Sequence, residues 1–364
     1  MKPIKNIFIA LAMAVATPVL AQSTTDGVFF KVEGKGLKQP SYLLGTVHLI
    51  HGDYTHKIAG LDSLLDRIGC LATELKMEYL LHPETVKQSP DLGLSHEDSV
   101  KAETLIPPIM AEFTDMTQAD PYSRHLTPEQ LDSLDASMKF FNLDAIIKAL
   151  PQGQGLQGEN FHRRIDPFSM AQLAPTLLTV KQMQNSIMSG YSQNYEMMDH
   201  TIMLGVNSKN EAYKKEHPDT KQDHVLCVGL DSTYAHVQYE ESKSVNIKEL
   251  LNNMTTKSMV DFIYGKLMNL YKTGLALEQV ESLYRQGKGN DIIKLVAQAE
   301  PDGYYNKELV DGRNQYWMTQ IPSLMKKQPT LVAVGLAHLL QTPASKGIIA
   351  MLQEQGYKVT PIHP

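Results

Sequence analysis

Residues 41–54 read SYLLGTVHLIHGDY, a short apolar run that meets a glycine at Gly45 and then, after two intervening residues, a histidine at His48. The run is too short for a helix and stops where the backbone can turn sharply. It therefore reads as a buried strand with His48 just beyond its carboxyl end. Downstream, Ile58, Leu61, Leu64, Leu65 and Ile68 recur at helical spacing, and after Gly69 a second apolar run extends from Cys70 to Leu75. This is a strand–helix–strand unit. Near the C-terminus the order repeats: TLVAVG at 330–335, the motif Gly335-Leu336-Ala337-His338, a helix face of Ile348, Ile349, Met351 and Leu352, then Gly356 and YKVTPI.

Continuous apolar strands are usually covered by helices on both faces. The sequence therefore predicts an α/β fold whose sheet is built from N- and C-terminal strand–helix–strand units, its first and last strands brought together. Between them lies a mostly helical insertion over roughly residues 80–220. Within it, LTPEQLDSLDASMKFFNLDAIIKAL opens with Thr127 as N-cap and Pro128 in the first turn, and PFSMAQLAPTLLTVKQMQ also reads as helix. HVLCVGLDS at 224–232 returns the chain to the sheet. Met183, Met188, Met197, Met198 and Met203 make a methionine-rich tract that reads as core.

The chain has 364 residues, 42% of them hydrophobic, which is ample for a core. Its formal charge is −6 and it has no basic block, so a nucleic-acid backbone has nothing to grip. The first residues, MKPIKNIFIALAMAVATPVLAQS, place Lys2 and Lys5 before an apolar run and small residues up to Ala21. That pattern reads as a cleaved signal peptide over 1–21, leaving residues 22–364 as a single domain that is periplasmic or secreted and keeps no membrane anchor. Cys70 and Cys227 both lie in strand-like runs. A disulfide between them needs adjacent strands; two buried free thiols are the other reading.

His48 alone would read as a packed residue, but His338 stands at the same place after its own strand about 290 residues later. Parallel strands present their carboxyl ends together, and ligands bind in the crevice there. Glu74, at the end of the second strand, adds a carboxylate. Two imidazoles and a carboxylate suit a divalent transition metal such as Zn, Mn, Fe or Co that could activate water. The structural alternative is a buried Glu paired with a protonated histidine. Arg313 is either a cation at the cleft or the partner of Glu308 or Asp311 on a helix face. His51 and His56 read as solvated loop histidines.

YLLGTVHLI, LATELKM, MMDHTIM around Asp199, VLCVGLDS around Asp231, DGRNQYW around Arg313 and VAVGLAHLLQ together resemble the TraB/GumN proteins. These are related to the Tiki metalloproteases and more distantly to erythromycin esterase-like enzymes. The resemblance covers nearly all of the chain after the leader. It implies a metal-dependent, protease-like hydrolase in which His48, Glu74 and His338 hold a Zn, Mn or Co ion. Glu74 and Arg313 would then be catalytic, and the substrate a peptide or a small-molecule ester. Family members usually carry Glu where this chain has Asp231. The alternative is a non-catalytic protein that binds a peptide or a metal-bearing ligand in the same cleft.

Overall fold

The computed structural model describes residues 25–48, 50–82, 96–114, 120–143, 146–147, 160–192, 196–231, 251–299 and 308–362. The leader at 1–21 lies outside them. In chain order the elements begin with β1 (Phe29–Gly34), β2 (Ser41–Thr46), a 3-10 turn (Gly52–Lys57), α1 (Leu61–Leu65), β3 (Cys70–Thr73) and α2 (Met77–Leu81). There follow α3 (His96–Thr114), α4 (Pro128–Phe140), α5 (Pro167–Met188), α6 (Met198–Glu216) and β4 (Leu226–Gly229). The chain then runs through α7 (Thr256–Arg285), α8 (Gly289–Ala299), a wide helical turn at Glu308–Gly312, α9 (Arg313–Met318) and α10 (Ile321–Lys327). It closes with β5 (Thr330–Gly335), α11 (Leu336–Leu339), α12 (Gly347–Glu354) and β6 (Tyr357–Pro361).

Among the described residues the sheet has six strands in the order β4-β3-β5-β2-β1-β6. β5 lies between β2 and β3 and is parallel to both, and β4 is parallel to β3; β1 is antiparallel to β2 and to β6. The two strand–helix–strand units thus share one α/β sheet, as the repeated motif predicts. The antiparallel β1, where Phe30 and Val32 are fully buried, lies outside both units and joins them by pairing with β2 and β6. The helix expected from Ile58 onward begins later, at Leu61, because Gly52–Lys57 winds as a 3-10 turn first.

The middle of the chain is helical, and helices continue past residue 220 through α7 and α8. Two large hydrophobic clusters result among the described residues, beside a small one of Ile109, Leu251, Met254 and Met259. One packs the sheet, around Leu43, Leu44, Leu71, Val332 and Trp317; the other lies among helices, around Phe113, Tyr122, Leu134, Leu177 and Leu267. α7 belongs to both: Val260, Ile263 and Leu267 enter the helical cluster, and Val280 and Tyr284 the sheet cluster. α4 starts as its sequence indicates, since the Thr127 side chain accepts from the Gln130 N–H in a capping box with proline in the first turn. In the methionine tract Met198 and Met203 are core, whereas Met188 is exposed at the end of α5.

Cys70 and Cys227 are free. Their strands are neighbours, but Leu71, not Cys70, lies opposite Cys227. One position out of register puts the two thiols on opposite faces of the sheet. Burial pushes each thiol up to about 11.

Candidate functional site

Four adjacent parallel strands end on the same side, and each delivers one polar residue just past its end. Along the sheet these are Asp231 after β4, Glu74 after β3, His338 after β5 and His48 after β2. Arg313, the first residue of α9, reaches over them. One of its guanidinium nitrogens, Nη2, donates to Glu74 Oε2 at 2.6 Å and to Asp231 Oδ2 at 2.7 Å, while Nη1 lies 3.5 Å from His338 Nε2. Its partners are thus these residues of the cleft. The sequence-predicted Glu74, His338 and Arg313 meet in one cluster. His48 is exposed at the turn beside it, and its charge acts on both Glu74 and His338.

The glycine of each motif makes room for a neighbour, Gly45 for Leu336 of the second motif and Gly335 for Glu74. A Cβ on Gly45 would collide with Leu336, whose Cα would lie 3.2 Å away. Gly335 donates its N–H to Glu74 Oε1 at 2.8 Å, and a Cβ there would stand 3.2 Å from that oxygen. The Gly45 carbonyl in turn accepts from the Tyr284 hydroxyl of α7 at 2.7 Å. Asp231 is 1% exposed, and its Oδ1 accepts from Trp317 Nε1 at 2.9 Å. Trp317 packs against the His338 ring with centroids 4.5 Å apart and carries the Arg313 guanidinium over its own face.

Burial opposes ionisation of Glu74, but Arg313, then His338, His48 and the Gly335 N–H outweigh it and hold the carboxyl at about 2. Burial pulls His338 down to about 4; Glu74 works the other way, Arg313 and His48 reinforce the drop, and the Val310 carbonyl opposes it weakly. At neutral pH the cluster therefore pairs an anionic Glu74 with a neutral His338. His338 Nδ1 lies 2.8 Å from Asn314 Oδ1.

The donor chemistry fits a divalent ion: an ionised carboxylate, a neutral buried imidazole and a second imidazole at the rim. Thr46 Oγ1, a buried atom with no hydrogen-bond partner, also stands at this end of β2. As the side chains lie, Arg313 bridges Glu74 and His338. Among the described residues, no three His, Cys, Asp or Glu side chains converge closely enough to hold a metal.

Sequence reasoning did not single out Asn314 or Trp317. Trp317 was readable in principle, being four residues after Arg313 on the same helix face; a buried amide next to an arginine gives no such signal. His51 departs from its expected solvated place: it is 2% exposed, caps the 3-10 turn by accepting from the Asp53 N–H, and stacks on Tyr191. His56 is exposed and pairs with Asp62. Among the described residues no helix is long and apolar enough to cross a membrane. None of the curated proteins and none of the solved structures matches the chain. Residues 28–361, which contain every element from β1 to β6 and all five residues of the cluster, match one family throughout, and the chain belongs to the TraB/PrgY/gumN family.

Proposed function

We propose that this protein is an exported, metal-dependent hydrolase that opens a peptide or ester bond at the carboxyl edge of its sheet. One observation carries the reading: an ionised Glu74 and a neutral His338 share a cluster in which two carboxylates face a single guanidinium. Such a pocket draws a cation rather than an anion. His48, Glu74 and His338 would hold Zn, Mn or Co. Bound there, the ion would supply a Lewis acid for the carbonyl and a water acidified toward neutral pH. Glu74 Oε1 is fixed by the Gly335 N–H and Oε2 accepts from Arg313 Nη2, so a bound ion would share Oε2 with the guanidinium or displace it. Arg313, anchored by Asp231, would turn Nη1 toward the developing oxyanion. Export rests on the Lys2/Lys5 region, the apolar run and Ala21.

A specific contact favours a second reading. Arg313 already touches both Glu74 and His338, so the same cleft suits a non-catalytic protein that binds a peptide or a metal-bearing ligand. Incubating the purified chain and Glu74→Gln with a mixed peptide library and an ester panel, with and without Zn²⁺, Mn²⁺ or Co²⁺, separates the two. Metal-dependent turnover absent from the variant is expected. Metal uptake without turnover would favour the binding protein, and turnover indifferent to chelators would contradict the metal.

A further inference from the structure

One amide touches both ends of His338. Asn314, fully buried, donates Nδ2 to the His338 main-chain carbonyl at 3.0 Å and presents Oδ1 to the His338 ring at Nδ1, 2.8 Å away. A main-chain carbonyl only accepts, so the NH₂ of Asn314 has to face it and the amide oxygen has to face the ring. An oxygen there requires the ring proton on Nδ1. The same Nδ2 also donates to Ser345 Oγ at 3.1 Å, whose hydroxyl donates to Asp311 Oδ1 at 2.9 Å, while the Gly347 N–H donates to Ser345 Oγ. Every bond in this chain points one way, because the carboxylate at its far end only accepts. At its near end, Nε2 is left with a lone pair facing Arg313, a group that has donors and no acceptor.

We propose that Asn314 is a positioning residue that holds the proton of His338 on Nδ1 and bares the Nε2 lone pair to the cleft, with Ser345 and Asp311 locking the amide in the orientation this requires. A ligating imidazole needs just such a partner on its other nitrogen, and losing one typically weakens metal binding about 10–100-fold. The metal-affinity arm of the test rests on the hydrolase reading above; the tautomer does not. Three neighbours share the ring with Asn314. Arg313 favours the same tautomer, the Val310 carbonyl favours a ring proton, and Trp317 packs the ring face.

The test is long-range ¹H–¹⁵N spectroscopy of histidine-labelled, metal-stripped protein near neutral pH, with the His338 ring assigned by its absence in His338→Gln. The expected wild-type signal has Nδ1 protonated and Nε2 bare; a proton on Nε2 would overturn the proposal without any variant of Asn314. Asn314→Leu, of similar volume and without an acceptor, is expected to lose this tautomer and to bind Zn²⁺ about 10–100-fold more weakly by calorimetry. The wild-type tautomer surviving in folded Asn314→Leu would overturn it as well, leaving the role to Arg313 or Val310. Wild type that shows the Nδ1 tautomer and takes up no Zn²⁺ would end the metal reading and sustain this one.

Discussion

Glu74 stays ionised because Arg313, His338, His48 and the Gly335 N–H together outweigh burial, and His338 stays neutral because burial outweighs Glu74; the two shifts fix how the metal-free chain responds to acid. A histidine with a depressed folded-state value contributes stability that is lost as pH falls from its ordinary 6.5 toward about 4. A carboxylate held down does the same from 4.5 toward about 2. Each is worth at most on the order of 3 kcal/mol. Urea midpoints followed downward from neutral pH should therefore fall in two limbs, and His338→Gln should flatten the upper one; an unchanged upper limb would assign it elsewhere. Asp231→Asn keeps an acceptor for Trp317 and removes one of the two carboxylates on Arg313. The loss expected from urea unfolding is about 3 kcal/mol, the low end for a broken buried pair, because Glu74 remains. His48, Glu74, His338 and Arg313 were legible in the sequence through strand ends, glycine spacing and family likeness. Asp231 was legible only as a departure from the family, and its grip on Arg313 appears once β4 lies beside β3.

The elements meet at the two glycines. Gly45 of β2 lies under Leu336 of α11, so Gly45→Ala should cost about 1–3 kcal/mol in urea unfolding through overpacking. Adding Leu336→Ala should recover part of that loss, as contacting residues couple; simple additivity would show that the two motifs do not share this contact. Tyr284→Phe removes the hydroxyl that α7 offers to the Gly45 carbonyl and should cost about 1–3 kcal/mol, the penalty for a buried acceptor left unpaired. The strands carrying the motifs were readable because continuous apolar runs ending in Gly-x-x-His leave few alternatives. The 3-10 turn at Gly52–Lys57 was not readable: its shape follows from the close approach of Thr201 and Met197 to Gly52, residues far along the chain.

At the scale of the molecule, α7 couples a helical cluster to a sheet cluster that holds the site. Trp317 is the single tryptophan and lies wholly in the sheet cluster, fully buried. Leu267→Ala, in the helical cluster, should cost about 2–5 kcal/mol there. The circular-dichroism transition should then precede the tryptophan-fluorescence transition; coincident transitions would show that α7 binds the clusters into one cooperative unit. The helical middle was legible from caps and periodicity. Its extension through α7 and α8 was not, because amphipathic spacing alone does not say where an insertion ends. What unites the chain is the placing of His48, Glu74 and His338 at neighbouring strand ends although the two histidines are about 290 residues apart. Calorimetric titration of Zn²⁺ and Mn²⁺ into metal-stripped wild type, His48→Ala, His338→Ala and the double variant tests this directly. One ion per chain is expected, with most affinity lost in either single variant and little more in the double, since residues acting as one unit do not add. Wild type that binds neither ion, or losses that simply add, would contradict a shared metal site.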